Sequence, residues 1–197
     1  MKMRNLVIAA AALAAGCGSG TADLYLFDAP PAGVTGVDIQ VKSMDVHVDA
    51  DWGKPDSAQP DDSSIDNDGK WQTLAVDKNI DLVQHEGETA ADLLGQLTLP
   101  DGKITQVRLV IDVSDPTLNK VTFQDASTCQ LDTSRVEQKG IKINHVFKAF
   151  KTEGGDHHEI YVHFDLATSL TPSGSCFLLE PQIELRKVIQ NGKPEQI

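Results

Sequence analysis

Apolar and polar side chains alternate with a period of two along most of the chain, and no segment keeps a helical period for more than two turns. The first stretch, residues 23–28 (DLYLFD), sets Leu24 and Leu26 on one face and Tyr25 and Phe27 on the other, and Ala29-Pro30-Pro31 ends it. Val37, Ile39 and Val41 then share a face. Met44, Val46 and Val48 continue in the opposite phase, so a β-bulge or a break is expected near Lys42-Ser43. Residues 49–70 (DADWGKPDSAQPDDSSIDNDGK) are polar and rich in Asp, Ser, Pro and Gly, and read as an acidic, solvated excursion from the sheet.

Strand character resumes at residues 71–76, with brief pairing at 80–83, and residues 90–94 suggest one helical turn because they lack β-branching. Leu97-Thr98-Leu99, Pro100-Asp101-Gly102 and residues 104–113 predict a hairpin. Its second arm places Val107, Leu109, Ile111 and Val113 on one face and Ile104 and Val110 on the other, and is the expected central strand. Further strands are expected at 121–123, 141–147 and 160–166. Residues 176–188 close the fold, and Pro181, having no N–H, requires an edge or a bulge there. Short strands separated by turn signals predict an all-β fold, a single antiparallel β-sandwich with a long acidic loop.

The N-terminus changes the setting of that domain. Lys2 and Arg4 precede an apolar run far shorter than the roughly 20 residues that span a bilayer, and small residues lead to Cys17, as in a cleavable secretory signal. The expected division is a signal peptide over 1–16, a tether over 17–21, the sandwich over 22–189 with its insertion at 49–70, and a polar tail over 190–197. Acidic residues number 29 against 17 basic ones, a net charge of −12, which argues against nucleic acid and anionic lipid surfaces as partners. With Cys17 set aside, Cys129 and Cys176 form an even pair in an oxidising compartment, and a disulfide is expected.

The ending Leu13-Ala14-Ala15-Gly16-Cys17 resembles the lipobox of bacterial lipoproteins, with Ala14 where that motif prefers Leu. The resemblance implies cleavage before Cys17, its lipidation, and membrane attachment through it. Further on, Leu26-Phe27-Asp28-Ala29-Pro30, the stretch from Leu97 to Leu109, Ile141-Lys142-Ile143-Asn144, Phe164-Asp165 with Ser169, and Leu179-Glu180-Pro181-Gln182-Ile183 follow one another in the order of a known pattern. They resemble a family of bacterial envelope lipoproteins built on a domain of unknown function. That resemblance implies a transthyretin-like or immunoglobulin-like sandwich at the envelope, and it brings no catalytic residues.

Three places invite chemistry. Asp61, Asp62, Asp66 and Asp68 could offer carboxylate oxygens to a weak calcium site, although an EF-hand register fails, since Ala75 falls where the bidentate Glu must stand. Trp52 and Trp71 flank the insertion and could stack on sugar rings, or pack together or on the sheet. His157, His158 and His163 lack zinc-protease spacing, because His158 and His163 point to opposite faces of a strand and His157 and His163 stand on the order of 20 Å apart. No cofactor is expected beyond that weak calcium. The functional expectation is a lipid-anchored, non-catalytic binding or interaction module, at the outer membrane or cell surface in preference to the inner membrane, with an envelope protein or carbohydrate as ligand. Calcium-dependent adhesion and an envelope hydrolase are the alternatives.

Overall fold

A computed structural model of the chain describes residues 19–28, 32–49, 69–88, 91–136, 141–143 and 148–196. Its strands begin with β1 (Gly20–Asp28), the long β2 (Val34–Asp49), β3 (Gly69–Asp81), β4 (Asp92–Leu99) and β5 (Gly102–Ile111). Four short strands follow: β6 (Lys120–Phe123), β7 (Thr128–Gln130), β8 (Ile141–Lys142) and β9 (Phe150–Thr152). β10 (His157–Phe164) leads into a single helical turn, α1 (Leu166–Ser169). The chain ends with β11 (Leu170–Ser173), β12 (Cys176–Leu179), β13 (Ile183–Gln190) and β14 (Lys193–Pro194).

These strands form the β-sandwich that the alternation predicts. One sheet has the order β14-β13-β10-β1-β4; the other has the order β7-β6-β2-β5-β8, with β3 added on β2 and β9 on β5. Inward side chains of both sheets merge in one core, in which Leu24, Leu26 and Phe164 of the first meet Ile39, Met44 and Leu109 of the second. A third, two-stranded sheet, β11-β12, hangs from the edge. The ladders among the described residues are antiparallel except β1 with β10, which run parallel from Thr21 opposite His157 to Asp28 opposite Phe164.

The expected irregularity in β2 is present: the register against both β3 and β5 shifts between Val41 and Ser43, which lets Val41 and Met44 both reach the core. A second shift in β5, opposite His47 and Val48, leaves Thr105 as the extra residue. It corrects the face of Ile104, which the simple alternation put outside and which lies in the core with Val107.

The hairpin expected across Pro100-Asp101-Gly102 is replaced by a change of sheet. β4 pairs with β1 and β5 pairs with β2, so the two arms face each other across the core instead of lying side by side. Leu99 and Ile104 are both fully buried as a result. Gly102 makes this crossing, since a Cβ there would lie 2.5 Å from the Asp49 carbonyl oxygen and 2.7 Å from Val48 Cγ1. Gly102→Ala is expected to lower the unfolding free energy by about 2 kcal/mol in urea titration, and an unchanged midpoint would show that the crossing can relax.

Three further expectations are corrected. Residues 92–94 are strand, not helix: the β1 ladder supplies hydrogen bonds that one isolated helical turn cannot match. The closing segment 176–188 is two strands in different sheets, with Pro181 in the gap, and the Gln182 N–H donates to Ser169 Oγ at 2.8 Å. Leu166 likewise leaves the strand for α1, whose first turn is capped when Asp165 accepts from the Thr168 N–H.

Candidate functional site

Strand alternation decides which side chains form the outer face of the five-stranded sheet. In β1, Ala22, Leu24 and Leu26 enter the core, which leaves Asp23, Tyr25 and Phe27 outside. In β10, Ile160, Val162 and Phe164 point inward, and His157, Glu159, Tyr161 and His163 outward. Because the two strands are parallel and in register, like residues line up in rows: Asp23 beside Glu159, Tyr25 beside Tyr161, Phe27 beside His163. A register shift in the β1–β4 ladder sets Leu93 opposite Tyr25, and β13 sets Lys187 opposite Tyr161. The central row therefore runs Leu93, Tyr25, Tyr161, Lys187 across four strands.

That row is tightly stacked. The tyrosine rings lie 4.6 Å apart and 6° from parallel, and the Lys187 ammonium sits 4.8 Å over the far face of Tyr161. Leu93, at its end, is 48% exposed, the more exposed of the two large apolar side chains that stand out from the described surface. The flanking rows are paired among themselves. Tyr161 donates to Glu159 Oε2 at 2.8 Å, Gln96 Nε2 donates to Asp23 Oδ1 at 2.9 Å, and His157 Nε2 lies 3.0 Å from Asp23 Oδ2. On the other side Phe27 stacks on His163, whose Nδ1 is 2.9 Å from Glu184 Oε1.

Burial, followed by the bond to Glu159 and that carboxylate's charge, pushes the Tyr161 phenol up to about 12. Burial, then Asp23 and Glu159, also raises Tyr25. Both phenols are thus hydrogen-bond donors at neutral pH and neither is a base or nucleophile there.

The residues singled out from sequence fall in three groups. Cys17, Trp52 and the four aspartates Asp61, Asp62, Asp66 and Asp68 lie outside the described residues. Cys129 and Cys176 are joined in a disulfide that ties β7 to β12. Trp71, on the outer face of the second sheet, carries the Arg108 guanidinium 3.6 Å from its ring centroid, and the His47 ring lies 5.0 Å away. Arg108 Nε in turn donates to Asp45 Oδ2 at 3.1 Å, and Asp45 Oδ1 also accepts from Ser43 Oγ. One face of the indole is therefore occupied by the protein's own cation, as expected of a ring packed on its sheet.

The histidines separate as the strand pattern requires: His157 and His163 point outward and His158 is fully buried. Among the described residues no group of three or more His, Cys, Asp or Glu side chains is placed to hold a metal ion. An open cleft of about 450 Å³ at one end of the sandwich collects Lys103, Lys148, Lys151 and a single carboxylate, Glu195. It contains neither a carboxylate pair nor a histidine. Sequence reasoning missed the Tyr25–Tyr161 pair, because strand alternation shows that each faces outward but carries no sign that the two strands are neighbours.

A disulfide-tied β-sandwich with a self-paired aromatic and charged sheet face is the class of protein these features define. The chain belongs to the family described as Domain of unknown function (DUF4382), whose model matches residues 19–181. No curated protein matches it.

Proposed function

We propose that this protein is a lipid-anchored component of the bacterial cell envelope, held through Cys17, whose sandwich is a non-catalytic interaction module. The contact surface in this reading is the outer face of the five-stranded sheet, and the row Leu93–Tyr25–Tyr161–Lys187 carries the argument. Tyrosine gives large, rigid contact area with a polar tip, which is why it is enriched at protein interfaces. Stacking takes up the faces of Tyr161 and one face of Tyr25, so edges, hydroxyls and the exposed Leu93 make up most of what a partner meets. A flat face of this kind suits another protein better than a sugar ring, which would need an open aromatic face. Asp23, Glu159 and Glu184 border the row on a chain of net charge −12, so the fitting partner presents a neutral to basic surface.

A photo-crosslinking residue at position 93, compared with one at position 118, the other exposed apolar site, tests the surface in the intact envelope. A discrete protein adduct is expected from position 93 alone, weakened about tenfold or more by Tyr161→Ala. Equal crosslinking from both positions would overturn the assignment of this face. Mass spectrometry of the mature N-terminus tests the anchor separately: a triacylated Cys17 is expected, and an unmodified cysteine or a start elsewhere rejects it.

A further inference from the structure

His158 is the first inward-pointing residue of β10, and its environment is unlike that of any other described histidine. The side chain is fully buried, and neither ring nitrogen has a hydrogen-bond partner. A neutral imidazole carries one donor and one acceptor, so both are left unsatisfied. Beside it, the Phe150 ring of β9 stands 5.6 Å away, and Thr152 of the same strand is also fully buried with an unpartnered hydroxyl. Within its own sheet His158 lies between Ala22 of β1 and Gln190 of β13, both uncharged.

The charged groups around it are few. Glu159, the next residue, faces outward and accepts from the Tyr161 hydroxyl; Asp156, two residues before, has a carboxylate that already accepts from the Glu153 N–H, from Gln190 Nε2 at 2.7 Å and from Asn191 Nδ2 at 2.8 Å. His157 faces the other way and pairs with Asp23. The cleft that Phe150 helps to line carries Lys103, Lys148 and Lys151 with Glu195, an excess of positive charge. Burial, the leading influence, holds the His158 ring below the usual histidine range; Asp156 pulls the other way and His157 adds to the depression.

We propose that His158 is an acid-sensitive latch: protonation of its ring opens the end of the sandwich built from β9 and the β13–β14 hairpin while the rest stays folded. That end is the part that can open locally. β9 is a three-residue strand held to β5 over Gly102–Ile104, and β14 has two residues. In the closed form an imidazolium would be fully buried with no protein acceptor bonded to either nitrogen, whereas the open form gives it bulk water. The sign follows from linkage. At neutral pH both forms hold a neutral ring and the end stays closed; as pH falls through about 6.5, the open form takes the proton first, and each further unit favours opening by up to about tenfold.

Amide hydrogen exchange of the full chain at about pH 7.5 and about pH 5 tests this, after correction for intrinsic exchange rates. The opening of amides at 150–152 and 185–190 is expected to rise about tenfold or more at the lower pH, with β2 unchanged. His158→Phe and His158→Leu should abolish the rise, and His157→Gln should keep it. The same rise in His158→Leu, a flat response in the wild type, or a rise shared equally by β2 would each overturn the latch. Should both His158 variants fail to fold, the wild-type imidazole decides by NMR: protonation only as these amides open supports it, and protonation with the amides still closed refutes it.

Discussion

Replacing both Cys129 and Cys176 with alanine is expected to lower the unfolding free energy by about 4 kcal/mol, the loop-entropy value for a cross-link between residues 47 apart. The loss should arise mainly in the unfolded chain, because the native neighbours of the bridge persist without it. The Asp132 N–H donates to the Phe177 carbonyl and the Leu179 N–H to the Asp132 carbonyl, both at 2.9 Å, and Phe123 lies against Phe177. The β11-β12 sheet therefore stays docked in the variant. Guanidinium denaturation of oxidised, reduced and double-alanine proteins measures the effect. The last two should unfold together, well below the first and with a steeper denaturant slope, since the uncrosslinked chain exposes more surface. Coincident midpoints for all three would mean that the bridge contributes nothing to stability.

Asp28→Ala should be nearly as damaging, at about 3 kcal/mol. Asp28 ends β1 and is fully buried, and its Oδ1 accepts the Leu166 N–H at 3.0 Å across 138 residues of chain. Its backbone carbonyl accepts the Gly87 N–H as well, so one residue fixes the exit of β1, the start of α1 and the loop before β4. Alanine leaves a buried N–H without its acceptor and opens a void of carboxylate size. Asp28→Asn keeps a carbonyl oxygen in the same place and should cost about 1 kcal/mol. Thermal unfolding separates the two, at roughly 2–4 °C per kcal/mol for a domain of this size, and equal midpoints for both variants would show that the acceptor is irrelevant.

Much of the architecture is legible in the residue pattern because inward and outward positions are a local property. The alternation from Val37 to Val48 locates the bulge at Lys42-Ser43 before any partner strand is known, and the even pair Cys129 and Cys176 gives the disulfide. What the pattern lacks is the choice of neighbour. Pro100-Asp101-Gly102 has the chemistry of a hairpin turn, yet a turn that changes sheet uses the same residues, and only the demand that Leu99 and Ile104 both be buried from opposite sides distinguishes them. Ile104 is misplaced for a related reason, since a single unpaired Thr105 reverses the phase of everything before it. The candidate site depends on neighbour choice entirely: Tyr25 and Tyr161 are ordinary outward residues until β1 and β10 are set side by side.

The parallel pairing of β1 with β10 also orders events in time. Chains are made from the N-terminus, so Thr21 emerges long before its partner His157 exists. β1 can meet β4 early, on its other edge, but the five-stranded sheet stays split at its centre until β10 arrives. Contacts this distant in sequence are slow to form because the loop between them must close first. The strand nearest the N-terminus among the described residues is thus among the last to complete its hydrogen bonding, and the sheet sets only when nearly all of the chain has been made.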